Sequence, residues 1–231
     1  MINNTRFRIT FALLLLWLAN LAVAEDKVVP IDQEPRHKLV FASEVLRIFD
    51  TKIPAGDVTL FHTHLADSVF ICIDGGETQS EEPGKEITKR PPFKSGEAWY
   101  RAHTKTPLTH RVTNLGKSDV RILDIEALQA PAESGDALTA LPPMYTPVLE
   151  NDRVRVTRLK LIKGEKSVER TLTRPALVVV VKASKAVIDL PRSRVLTDYD
   201  PGDYFEIPVG KKYFIGNFGD NDFEAIQIDF K

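Results

Sequence analysis

Two histidines one residue apart, His62-Thr63-His64, are the residues of this chain best suited to gripping a metal ion. Residues two apart in a β-strand point to the same face, so both imidazoles can aim at one spot inside a sheet. His110, followed four residues later by Asn114, offers a third ring if a neighbouring strand carries it there. Three neutral nitrogen donors on one side of a divalent ion form a facial set and leave the opposite positions open for other ligands.

The elements that must position these rings read as β. Gly56 lies six residues before His62, and Gly75-Gly76 closes the apolar run Val69-Phe70-Ile71-Cys72-Ile73. Short alternating or β-branched runs recur at 45–49, 58–62, 120–125, 154–161, 177–181 and 223–228, punctuated by Gly, Pro, Asn and Asp. No long amphipathic helix competes with them. The second half also repeats the first. Gly164, five residues, Arg170-Thr171-Leu172 and a valine-rich run follow the plan of Gly56, five residues, His62-Thr63-His64 and an apolar run. Asn114-Leu115-Gly116 leads to Leu123, Ile125 and Glu126, as Asn217-Phe218-Gly219 leads to Ile226, Ile228 and Asp229. Self-similarity over that many positions predicts two tandem copies of one unit.

Segments outside the repeat have other signatures. Arg6 and Arg8, an apolar stretch 9–21 and Ala22-Val23-Ala24 read as a signal peptide over 1–24. That apolar core is shorter than the roughly 20 residues a spanning helix needs. The expectation is export, a periplasmic location and no membrane association after cleavage. Residues 25–39 read as an N-terminal arm with His37 in it, 40–130 as the first unit, 131–147 as a proline-bearing linker and 148–231 as the second unit. The stretch 77–93 is polar, holds three prolines and reads as a loop. Without Arg6 and Arg8, 29 of the 31 basic residues remain against 32 acidic ones, a balance that gives no reason to propose nucleic acid as a partner. The single cysteine, Cys72, reads as a packing residue; a thiol ligand is the alternative.

At the motif level the chain resembles the cupin superfamily. Gly56-x5-His62-x-His64 looks like its first motif, and Gly96 followed by Pro107, His110 and Asn114 like its second. Gly202-x5-Pro208-x-Gly210-x2-Tyr213-x3-Asn217 repeats the second motif's spacing with tyrosine in the histidine position. The resemblance covers nearly all of the chain after the leader as a bicupin. It implies an all-β architecture of two tandem jelly-roll barrels, with His62, His64 and His110 as metal ligands. Fe(II) is the favoured ion, with Mn, Ni, Cu or Zn as alternatives. Cupins often pair through edge strands, so the resemblance leaves a homodimer open.

Departures from the pattern narrow the chemistry. The family's glutamate ligand is replaced by Ser68, with Asp67 beside it as an alternative ligand if the register shifts by one residue. The first unit's second motif is three residues longer than usual, and the added stretch holds His103 and Lys105. The second unit places Arg170, Leu172, Ala176 and Tyr213 at the four ligand positions, so it reads as degenerate. Three neutral histidines leave an ion its full charge and several open positions, which suits a small anionic organic substrate. Within the family this resembles three-histidine dioxygenases. A non-redox lyase or isomerase with His103 or Tyr100 as catalytic base, and a non-catalytic binding protein, are the other readings. One of Trp99 and Tyr100 should face inward, and Arg101 and Arg111 read as surface residues, with bidentate pairing to a carboxylate as the alternative.

Overall fold

The computed structural model describes residues 27–128, 140–190 and 193–231. The expected leader and most of the expected linker lie outside them. The first unit contains β1 (Val28–Pro30), β2 (His37–Ala42), β3 (Leu46–Ile53), β4 (Phe61–His64) and β5 (Ser68–Asp74). It continues with β6 (Thr78–Glu81), β7 (Thr88–Lys89), β8 (Ala98–Arg101), β9 (Leu108–Asn114) and β10 (Val120–Ala127). The second contains β11 (Tyr145–Glu150), β12 (Val154–Leu161), β13 (Arg170–Thr171), β14 (Ala176–Lys182) and β15 (Ser184–Leu190). After these come β16 (Ser193–Tyr199), β17 (Tyr204–Ile207), β18 (Lys212–Asn217) and β19 (Phe223–Phe230).

The two copies share one topology. Sheet order β2-β3-β10-β5-β8 in the first unit becomes β11-β12-β19-β14-β17 in the second, and β4-β9-β6-β7 becomes β13-β18-β15-β16. Each unit is therefore a two-sheet jelly roll. The glycines that open the four motifs, Gly56, Gly96, Gly164 and Gly202, all have positive φ, between 73° and 93°. An L side chain there would be strained, which explains their recurrence at matching positions. The motif asparagines repeat as well. Asn114 Nδ2 donates to Ile53 O (2.9 Å) and Ser118 O (2.8 Å), while its Oδ1 accepts from Gly116 N (2.9 Å). Asn217 makes the same three bonds to Leu161 O (3.0 Å), Asn221 O (2.8 Å) and Gly219 N (3.1 Å).

Two stretches are more ordered than their composition suggests. Residues 28–39, expected as an arm, supply β1, which pairs in parallel with β4, and the start of β2. The polar stretch 77–93 contributes β6 and β7, and buries Phe93.

Strand alternation decides which side chains meet. Along β5, Val69, Ile71 and Ile73 face the sheet β11-β12-β19-β14-β17 of the other unit, joining Val156, Val179 and Ile228 in one buried apolar cluster between the units. A second cluster fills the second barrel with Leu159, Leu172, Val178, Tyr213, Ile215 and Phe223 among others. Polar groups cross the seam too: Arg153 pairs with Asp67 (3.2 Å), and Arg121 donates to Pro201 O (3.0 Å).

Candidate metal centre

β4 and β9 pair antiparallel with His62 directly opposite His110. That register, together with the i, i+2 alternation of β4, brings three rings together. His62 Nε2 lies 3.1 Å from His64 Nε2, which lies 3.2 Å from His110 Nε2. Nitrogens on adjacent octahedral positions, each about 2.1 Å from an ion, sit about 3.0 Å apart, so these spacings suit a shared cation.

The outer nitrogens favour the same reading. His62 Nδ1 donates to Leu60 O (2.9 Å), which leaves Nε2 with its lone pair. His64 Nδ1 lies 3.3 Å from Asp124 Oδ2. A proton placed between the Nε2 atoms of His62 and His64 would leave His64 Nδ1 bare against the buried Asp124 carboxylate, which has no hydrogen-bond partner of its own. A cation at the Nε2 junction resolves the conflict, because His64 Nδ1–H is then free to face Asp124. A carboxylate behind a ligating histidine fixes its tautomer in this way. His110 Nδ1 is 2.9 Å from Ser80 Oγ. Burial, followed by the charges of neighbouring histidines, pushes the His62 pKa down to about 3 and holds that of His110 well below the ordinary value. Both rings are therefore neutral donors at pH 7. The residues present fit a divalent ion.

All five histidines of the chain gather here. His37, on the strand next to β3, sits with its ring centroid 4.3 Å from that of His62. Donor atoms of His37, His62 and His64 lie within 4.8 Å of one another, and all three residues are buried. His37 Nδ1 bonds to Glu34 Oε2 at 2.6 Å, turning Nε2 into the available donor. Burial raises the Glu34 pKa, but the bond and charge of His37 and the amides of Leu60 and Arg36 outweigh it, and the net shift is downward. The sequence places His37 in the N-terminal arm, away from the other histidines. The signal was present: the repeat extends upstream, placing His37 opposite Thr51 as Tyr145 is placed opposite Leu159.

The three-residue extension of the second motif also has a role. A tight turn, with the amides of Lys105 and Thr106 bonded to Ala102 O, carries His103 onto His64, with ring centroids 5.0 Å apart and stacked. His103 Nε2 is buried without a hydrogen-bond partner, and burial followed by His64 lowers its pKa.

Other expected site residues are placed away from the metal cluster. Asp67 turns to the opposite face, where it accepts from Tyr100 Oη (2.8 Å) and Thr104 N (2.8 Å) and pairs with Arg153. The pleat gives Asp67 and Ser68 opposite faces, so Asp67 replaces no ligand. Tyr100 shares its outward side and packs against the inter-unit cluster, while Trp99 faces inward. A base role for Tyr100 is therefore corrected: its hydroxyl is committed to Asp67, and burial first, then Asp67, raise its pKa. Ser68 is buried and turns its hydroxyl to Ala66 O (3.2 Å). Arg111 is engaged by Glu81 (2.9 Å). Burial, with help from Glu97 and Asp74, pushes the Cys72 thiol up to about 12, which keeps it protonated.

In the second unit Arg170 and Tyr213 occupy the paired positions held by His62 and His110. The Arg170 guanidinium lies 4.9 Å over the Tyr145 ring, Tyr213 Oη donates to Gln227 (3.0 Å), and apolar side chains fill the remainder. A cation, a phenol and a leucine replace the donor set there, so this barrel is degenerate toward metal.

No protein-family model matches the sequence, and no curated protein matches it. Solved structures do match in shape. A cupin 2 conserved barrel domain protein from Leptotrichia buccalis aligns at TM-score 0.52 and 13% identity, over 84% of this chain and 87% of its own. The chain has the bicupin fold. The bicupin is also similar to salicylate 1,2-dioxygenase from Pseudaminobacter salicylatoxidans (TM-score 0.58, 8% identity, 81% of this chain and 71% of that one). A third match is oxalate decarboxylase from Lactobacillus farciminis in a formate complex (0.57, 10%, 82% and 77%). At these identities the likeness concerns fold alone.

Proposed function

We propose that this bicupin is an exported metal-dependent enzyme acting on a small anionic organic substrate, with dioxygenation as its reaction. The observation that carries the reading is the convergence of the three Nε2 atoms, with the orphaned Asp124 carboxylate behind His64 at its Nδ1. His62, His64 and His110 would hold the ion, with His37 beside them, and Fe(II) is the favoured identity. Such an ion supplies Lewis acidity and, as iron, a site where substrate and O2 can meet. The chain's own groups do the rest. Asp124 fixes the His64 tautomer, and the aromatic wall of Phe70, Trp99 and Phe93 limits water. His103, whose Nε2 faces the cavity without a hydrogen-bond partner, is placed to accept a substrate proton.

A lyase or isomerase shares the same residues, and His103 is the observation that favours it, because proton abstraction needs such a base. Elemental analysis of protein purified without chelator, beside His62→Ala, is the deciding experiment. Near-stoichiometric metal in the wild type and its loss in the variant are expected; substoichiometric metal in both would remove both enzyme readings and leave a binding protein. Anaerobic turnover with Zn(II) or Mn(II) would select the non-redox reaction. The leader over 1–24 supports a periplasmic location, and an intact N-terminus in the periplasmic fraction would contradict cleavage after Ala24.

A further inference from the structure

Beside the histidines lies a cavity of about 270 Å³ whose exposed surface is mostly apolar, although polar side chains, the Asp124 carboxylate among them, also reach it. Phe70 stacks on Trp99 (centroids 5.3 Å apart, planes 11° apart) and Trp99 on Phe93 (4.8 Å, 21°). The Arg90 guanidinium lies 3.7 Å from the Phe93 centroid. The wall is thus a run of rings with a cation at one end. Arg90 is already bonded to Glu97 (3.3 Å). Arg101 also lines the cavity, and among the described residues its guanidinium has no hydrogen-bond or ion-pair partner. Its charge bears on both Arg90 and His103, so it stands over the same space. Alternation along β8 explains the placement: Trp99 and Arg101 face the cavity while Tyr100 faces away.

Size narrows the occupant. A cavity of about 150 Å³ admits benzene, so this one suits one ring with one or two small substituents rather than a fused system. An apolar wall rewards the ring and disfavours a polyanion, while a single unpaired guanidinium rewards one planar carboxylate through a bidentate pair. We infer that the substrate class is a monocyclic aromatic carboxylate, its ring against the Phe70–Trp99–Phe93 wall and its carboxylate on Arg101. The inference rests on the proposed reading of the histidine site for chemistry, but its binding half stands independently.

The test is a titration of the full chain with benzoate, benzamide and cyclohexanecarboxylate by calorimetry, repeated on Arg101→Gln and Arg101→Lys. Metal content is measured on the same samples. Saturable benzoate binding is expected, about tenfold tighter than benzamide and tighter than cyclohexanecarboxylate. Arg101→Gln should lose about tenfold for benzoate and nothing for benzamide, with metal content unchanged, and Arg101→Lys should recover part of the loss. Arg101 is exposed, so folding of the variants is readily checked by circular dichroism. Benzoate binding no better than benzamide, no preference for the aromatic ring, or an Arg101→Gln protein that binds benzoate like the wild type would each overturn the inference. Metal-free protein with Arg101-dependent benzoate binding would retire the catalytic reading and keep this one. Metal-loaded protein that ignores benzoate would do the reverse.

Discussion

Replacing Asp124 by asparagine should move two measurements in opposite directions. Asp124 is 1% exposed, its two oxygens have no hydrogen-bond partner, and its nearest charge-capable neighbour is His64 Nδ1 at 3.3 Å. In metal-free protein the carboxylate is a buried charge facing at most one N–H. Removing such a charge should stabilise by about 2 kcal/mol. For a chain of this length that is a rise of roughly 4–8 °C in Tm. In metal-loaded protein the same carboxylate faces the ion through His64, and losing a partner of this kind typically costs about 10–100-fold in metal affinity. The ion's stabilising effect at fixed metal should then shrink by about 1.4–2.7 kcal/mol. Scanning calorimetry of apo protein, paired with a competition titration against a chromogenic chelator, reads both numbers. A metal Kd within about threefold of wild type, or an apo protein that melts lower, would refute the assignment of Asp124 as the group that orients His64 toward an ion.

Asp67→Asn should lower stability by about 1–3 kcal/mol through the lost bonds to Tyr100, Thr104 and Arg153, with metal stoichiometry unchanged; reduced metal would make Asp67 a ligand after all. Urea melts of apo protein should shift to lower midpoints as pH falls from about 6.5 toward 3. The His62 pKa is depressed to about 3 in the folded chain, so the unfolded chain binds one more proton there across that window, about 1.4 kcal/mol per pH unit, and the downward shifts of His103 and His110 act with the same sign; a flat profile between pH 7 and 5 would contradict the neutral rings. Arg170→Met should leave metal content alone and raise Tm, since Arg170 buries two nitrogens without hydrogen-bond partners and apolar replacement of such groups is often stabilising by about 1–4 kcal/mol. A marked loss of stability would show that the guanidinium's contact with Tyr145 outweighs its desolvation.

Those residues also mark where the sequence was readable. That His62, His64 and His110 meet could be read because the pleat converts spacing into direction, and because Arg170, Leu172 and Tyr213 show the same framework without imidazoles. His37 was legible in principle, since its repeat partner Tyr145 stands at the same distance from the strand that follows. Asp124 was not. It reaches His64 only because β10 lies beside β3 and β5, and no local spacing encodes that neighbour relation. Asp67 misled because adjacent strand residues differ by a full reversal of direction, and only the paired partners reveal which of Asp67 and Ser68 points inward. The aromatic wall was half visible: β8 required one of Trp99 and Tyr100 to face inward, but its completion by Phe93 depended on a proline-bearing stretch that composition marks as loop.

The apolar seam between the units ties together a half with donor chemistry and a half without it. Val69, Ile71 and Ile125 of the first copy are buried only because Val156, Val179 and Ile228 of the second cover them. A chain ending near residue 140 would keep every histidine and still present that greasy flank to water, an invitation to self-association. The silent copy is thus a built-in chaperone surface for the other. Its contribution is made from the outside of its barrel, while Leu172 and Tyr213 at its ligand positions pack inside.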